Sequence, residues 1–299
     1  MNINKEEFLN KYHLSENFLS EKRIQWDVLN NIYEDFFNYK YSYESQAGFI
    51  ADTLRTCKKI HSVKSRVKDP ERLIEKIIRK TEDRRKKYGE DFQFSIDNYK
   101  DEINDLIGVR AIHIFKEDWE SIHNFICRTW KVVEITANVR EGDDTHRFEE
   151  LNIEICSRKS GYRSVHYLIE FFPTSQKVIA EIQVRTIFEE GYGEIDHQLR
   201  YSHDKIPKVL ASNLLLFNRI AGSADEMASL INLLNKNWTE MEENFQGIMK
   251  QKNHEIKELK KIVNEKTGIE EKDKKEILDA LENIIMKDEL MNLADELDS

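Results

Sequence analysis

Over the first 55 residues, apolar side chains recur three or four positions apart. Trp26, Leu29, Ile32, Tyr33 and then Phe36 or Phe37 mark one face of a helix that packs on a neighbouring element. From 60 to 68 the period drops to two, which predicts a strand carrying Lys64, Arg66 and Lys68 on one face. Asp69-Pro70 then reads as a helix start, with Asp at the N-cap and Pro in the first turn. Leu73, Ile74, Ile77 and Ile78 give that helix its apolar stripe, and Gly89 is its expected C-cap.

Strand and helix signals alternate beyond this point. Strands are expected at 107–115, 131–139, 148–155, 164–172 and 177–185, the last two joined by Pro173-Thr-Ser-Gln. Helices are expected at 119–130 and 187–201. Residues 141–146 and 157–163 read as loops. From Pro207 the helical signal is continuous: Leu210, Leu214, Phe217, Ile220, Met227, Leu230 and Leu233 fit one or two packed helices. Phe245, Ile248, Ile256, Leu259 and Ile262 form a narrower stripe, broken at Gly268, before a last helix with Ile277, Leu281, Ile284 and Ile285. The expectation is an α+β protein: a mixed sheet of about five strands flanked by helices over 55–204, a helical segment over 1–54 that packs on it, and an all-helical extension over 205–299.

Composition narrows the class. Of the 299 residues 34% are charged, but 10% are aromatic, too many for a disordered chain. Only 10 Gly and 3 Pro are present, which argues against a loop-rich all-β fold. No apolar run is long enough to span a bilayer, and the polar N-terminus does not read as a secretion signal, so a cytoplasmic location is expected. Cys57, Cys127 and Cys156 stand apart and read as reduced core residues. The net charge of −10 disfavours wholesale coating of nucleic acid. Between Arg55 and Lys87, however, 14 Lys and Arg face 5 Asp and Glu, a local +9 that reads as either a solvated helix face or a confined anion site.

Three segments could carry chemistry. In Glu181-Ile-Gln-Val-Arg185 a strand puts Glu181, Gln183 and Arg185 on one face, which is either solvated or lines a site, since buried unpartnered polar groups are costly. In Asp105-Leu-Ile-Gly-Val-Arg110 a hard oxygen donor enters a strand, and a guanidinium suited to phosphate follows on the glycine's face. The loop Arg158-Lys-Ser-Gly-Tyr-Arg163 is basic, with a ring at Tyr162 able to stack on a base and His166 just beyond it. Neither GxxxxGK[ST] nor GxGxxG occurs. His203-Asp204 reads as a helix end.

Taken together, SRVKDPERLIEKI, DLIGVR, GYRSVH and EIQVRT followed by EIDHQLRY resemble the synthetase domain of RelA/SpoT proteins, over about residues 55–204. The resemblance implies a nucleotidyltransferase-like mixed sheet that transfers the β,γ-pyrophosphate of ATP to the ribose 3′-OH of GTP or GDP, with Mg²⁺. It places the metal on Asp105 and Glu181, with Glu181 accepting the hydroxyl proton. It places ATP contacts on Arg66, Lys68, Arg110, Arg158 and Lys159, and acceptor contacts on Tyr162, His166, Gln183 and Arg185. An alternative acceptor within the same family is the 3′ end of tRNA, and a non-catalytic nucleotide-binding regulator is a third reading. Too few residues precede the domain for the family's hydrolase, so no alarmone hydrolysis is expected. The helical stripe of 205–299 points to a homo-oligomer.

Overall fold

The computed structural model describes residues 3–173, 177–202, 207–265 and 270–297. The chain divides into two compact units, Met1–Ser229 and Leu230–Ser299. The first holds a six-stranded sheet, β1 (Ser62–Val67), β2 (Ile107–His113), β3 (Lys131–Val139), β4 (Glu154–Ser157), β5 (Ser164–Phe171) and β6 (Val178–Thr186), ordered β1-β2-β6-β5-β3-β4. Parallel pairs β2/β6 and β3/β4 combine with antiparallel β1/β2, β5/β6 and β3/β5, so the sheet is mixed, as expected.

One face of this sheet is the core. Val109, Ala111, Ile182, Val184, Tyr167 and Ile169 point into it and are buried. Helix α3 (Trp26–Arg55) covers β1 and β2 with Leu29, Ile32, Phe36 and Ile50, while Phe37 stays exposed. The short helices α1 (Lys5–Lys11) and α2 (Glu16–Glu21) contribute Phe8 and Leu19. Helix α4 (Pro70–Tyr88) starts where the sequence signals it: the Asp69 side chain accepts from Arg72 N, Pro70 occupies the first turn, and the helix ends at Gly89 with φ +108°. A short α5 (Tyr99–Glu102) and α6 (Asp118–Thr129) complete the cover, the latter with Trp119, Ile122 and Ile126.

Helix α8 (Ile187–Ser202) begins immediately after β6. Thr186 and Glu189 cap it reciprocally: Glu189 N donates to Thr186 Oγ1 at 3.1 Å and Thr186 N to Glu189 Oε2 at 2.9 Å. That tight junction brings α8 over the opposite, polar face of the sheet. Helix α9 (Lys208–Glu265) opens inside the first unit, where Leu214 and Ala221 pack with Tyr192, Leu199 and Phe217. The second unit contains the remainder of α9 and α10 (Glu271–Leu297).

Three expectations need correction. Residues 148–155 are not one strand: α7 (His146–Glu150) comes first, with Phe148 edge-on to the Trp119 ring at 4.9 Å, and Asn152 at φ +52° turns the chain into the shorter β4. The alternation F-E-E-L-N-I-E-I fits a strand locally, but packing of Phe148 on Trp119 decides otherwise. Lys208–Glu265 is a single 58-residue helix that takes in both the segment read as one or two packed helices and the narrower stripe after it. Of the cysteines only Cys57 is buried; Cys127 is exposed and Cys156 half-buried, and all three are free thiols. His203-Asp204, Gly268 and the Thr174–Gln176 turn lie outside the described residues. Among the described residues no helix is long and apolar enough to cross a membrane.

Candidate active site

Strand register assembles the polar face of the sheet in rungs. Arg66 of β1 faces Gly108 of β2, which faces Glu181 of β6. The next rung runs Lys64, Arg110, Gln183 and His166 across β1, β2, β6 and β5. The Arg66 stem lies over Gly108, so that a Cβ there would sit 3.5 Å from Arg66 Cγ. The period-two pattern of β6 is therefore a buried site wall rather than a solvated face: Arg185 is only 2% exposed.

Hydrogen bonds tie these groups together. His166 Nδ1 lies 3.1 Å from Glu181 Oε1, and Gln183 Nε2 donates to Glu181 Oε2 at 2.6 Å. Arg185 Nη2 donates to Gln183 Oε1 at 2.5 Å and to Tyr162 Oη at 3.0 Å. Tyr162 Oη also meets His166 Nε2 at 3.0 Å, and the Arg185 guanidinium lies 5.2 Å from the Tyr162 ring centre. Burial works against the charge on Glu181, yet the bonds from His166 and Gln183 outweigh it and hold the carboxyl below its ordinary range. Burial raises the Tyr162 phenol in spite of the cation beside it.

Asp105 sits just before β2, with Lys68 Nζ on Oδ2 and Lys76 Nζ on Oδ1, each at 2.8 Å. Burial again opposes the charge, and the two lysines win, so Asp105 too is held below the usual carboxylate range. Its charge is felt at Glu181, which places the two carboxylates in one electrostatic neighbourhood. Two hard oxygen donors in one neighbourhood suit Mg²⁺, which takes one or two carboxylates and completes its shell with water and substrate phosphate. No group of three or more His, Cys, Asp or Glu that could hold a metal ion occurs among the described residues.

The other expected residues fall in two places. Arg66, Arg158 and Lys159 are exposed, the latter two on the loop after β4, with Arg158 Nε donating to Asn138 Oδ1 at 2.6 Å. Arg110 is not free to fork onto phosphate: its Nη1 bonds Glu190 Oε1 at 3.2 Å and also Glu194.

Sequence reasoning missed this α8 pair. Glu190, 5% exposed, also takes Lys64 Nζ at 3.0 Å and Arg185 Nη1 at 3.2 Å, so one carboxylate joins cations from three strands. The signal was present. Like charges at i and i+4 destabilise a helix alone, so Glu190 and Glu194 call for cations opposite. Also missed was Asn218 on α9, whose Nδ2 donates to Gly161 O at 2.7 Å beside Tyr162.

A mixed sheet flanked by helices, with paired carboxylates and cations on one face, defines an α+β domain. Residues 65–206 match the family model described as "Region found in RelA / SpoT proteins". Among solved structures, small alarmone synthetase 1 from Bacillus subtilis is similar at 21% identity and TM-score 0.53, covering 67% of this chain and 97% of that one. The same synthetase bound to AMPCPP matches at 20% identity and TM-score 0.51, over 68% of this chain and 99% of that one. No curated protein matches the sequence.

Proposed function

We propose that this protein transfers the β,γ-pyrophosphate of ATP to the ribose 3′-OH of GDP or GTP, making the alarmone (p)ppGpp. The observation that carries this reading is Glu181: a carboxylate kept ionised in a largely dry wall, flanked by the cations of β1, β2 and β6 and sharing its field with Asp105. ATP and GTP together bring about eight negative charges, and catalysis of such transfers rests on positioning and charge stabilisation. The bound AMPCPP of the Bacillus subtilis synthetase, whose fold this chain shares, supports an ATP-type donor.

In this reading Glu181 accepts the proton of the 3′-hydroxyl as its oxygen attacks the β-phosphorus of ATP; the bond to the α-phosphate oxygen breaks and AMP leaves. His166 and Gln183 aim the two carboxylate oxygens, and Arg185 fixes Gln183 and Tyr162. The Tyr162 ring offers its face to guanine. Carboxylates take the edge of Arg110, leaving its flat face, with Arg66 on the neighbouring rung, for adenine. Lys68, drawn toward Asp105, and the exposed Arg158 and Lys159 meet the phosphates of ATP. Asp105 and Glu181 would hold Mg²⁺, which would supply charge neutralisation at the phosphates.

The structure weakens the case for tRNA as acceptor. Five of the 14 cations between Arg55 and Lys87 pair with carboxylates outside the block: Lys59 with Asp118, Lys64 with Glu190, Lys68 and Lys76 with Asp105, and Arg84 with Glu102. Set against the local +9, these four outside carboxylates leave about +5, a reduced track for a phosphate backbone. ATP labelled at the γ-phosphate, offered with GDP, GTP or bulk tRNA, tests the proposal. Label in the guanine nucleotide supports it, label in tRNA alone replaces the acceptor, and no transfer with retained ATP binding leaves the regulator reading.

A further inference from the structure

Within the second unit, α9 presents a line of large apolar side chains to solvent. Ile231, Leu234, Trp238, Met241, Phe245 and Ile248 follow at spacings of three, four, three, four and three, a 3.5-residue repeat sustained for nearly three heptads. They are 58%, 58%, 70%, 67%, 50% and 64% exposed. Isolated exposed leucines need no explanation, but an unbroken seam of this width on a charged helix does.

The molecule shows what covers such a line. Ile256 lies eleven residues beyond Phe245, on nearly the same side of the helix, and is 5% exposed. Along that stretch α10 is fastened to α9, by Lys260 with Glu282 at 3.8 Å and by Lys274 Nζ donating to Asn264 O at 2.8 Å. The same face is thus closed where a helix lies beside it and open from Ile231 to Ile248. A helix with the matching repeat fits the open part, and another copy of this chain always carries that repeat.

Charge and area both favour a second copy. The positions flanking the seam hold Asn235, Asn237, Asn244 and Gln251, with Glu242 the charged exception, so a copy meets little like-charge repulsion. Six large side chains at this exposure offer roughly 100 Å² or more each, about 600–800 Å² per copy, close to the ~800 Å² per partner of a stable interface. The helix is already formed, so association bears no nucleation cost.

We propose that residues 231–248 of α9 form a self-complementary helical interface that dimerises the protein. Light scattering on the full chain is expected to give twice 35.6 kDa at micromolar concentration. Leu234→Glu and Met241→Glu should each return it to the monomer mass with helical circular dichroism intact, as should the milder Trp238→Ala at higher dilution. Lys236→Glu, on the far side of the helix, should leave the dimer in place. A wild-type monomer at every concentration overturns the proposal. So does an oligomer whose mass the seam variants leave unchanged, which would assign self-association to another surface and the seam to a different partner.

Discussion

Glu181 holds its charge where most water is excluded, and each of its two oxygens has a partner for that purpose. Replacing it with Gln keeps the shape and removes the proton acceptor, so transfer should fall by at least about a hundredfold while ATP binding persists; isotope transfer beside nucleotide titration separates the two. Tyr162→Ala should raise the KM for the guanine acceptor far more than that for ATP, and equal loss for both would make the ring a packing group. Glu190 should behave differently. It touches Lys64, Arg110 and Arg185, and removing one partner from a buried ion cluster strands the rest. Glu190→Gln is therefore expected to lower thermal stability and raise the KM for ATP several-fold. Glu190→Asp should restore part of both, and an unchanged KM would reduce Glu190 to a structural ion pair.

Elements decide which of these side chains can meet. The loop before β5 turns at Gly161, φ +77°, where a Cβ would lie 2.6 Å from Asn218 Oδ1 on α9. Arg163 tightens the same junction, with Nη1 3.3 Å from Asn218 Oδ1 and Nε 2.6 Å from Asp143 Oδ2. Gly161→Ala combines left-handed strain of about 1–2 kcal/mol with displacement of Asn218, and Asn218→Ala removes the amide that holds Gly161 O. Their effects on acceptor KM should be markedly non-additive, because Asn218→Ala also makes room for the new methyl; strictly additive effects would show that α9 does not position Tyr162. The rungs of the sheet were legible in the sequence, because a period of two fixes which of Glu181, Gln183 and Arg185 share a face whatever surrounds the strand. The Asp69-Pro70 helix start was equally local. What escaped was long-range: Phe148 forms a helical turn because of Trp119, and Asn218 reaches Gly161 across 57 residues. Arg110 reads as a phosphate fork until α8 folds Glu190 over it, since no single segment carries both partners.

At the scale of the molecule, these buried carboxylates should be visible in how stability varies with pH. Asp105 and Glu181 are held below their ordinary range, so the folded state binds their protons less tightly than the unfolded chain. Their contribution is present above the ordinary carboxylate range and is lost as pH falls through their depressed values. Asp225 on α9 works in the opposite sense. It is 1% exposed, burial pushes its carboxyl up from 3.8 to about 7, and the charge of Glu189 adds to that shift. The folded state therefore binds this proton more tightly, and stability should decline as pH rises from about 4 to about 7. About three pKa units correspond to at most ~4 kcal/mol, on the order of several degrees in melting temperature for a protein of this size. Asp225→Asn has the shape of the protonated acid and cannot ionise. It should melt close to the wild type at pH 4 and several degrees higher at pH 8, as read by scanning calorimetry at both pH values. An equal shift at both would show that the change acts through packing against Thr186 and Glu189 rather than through the proton.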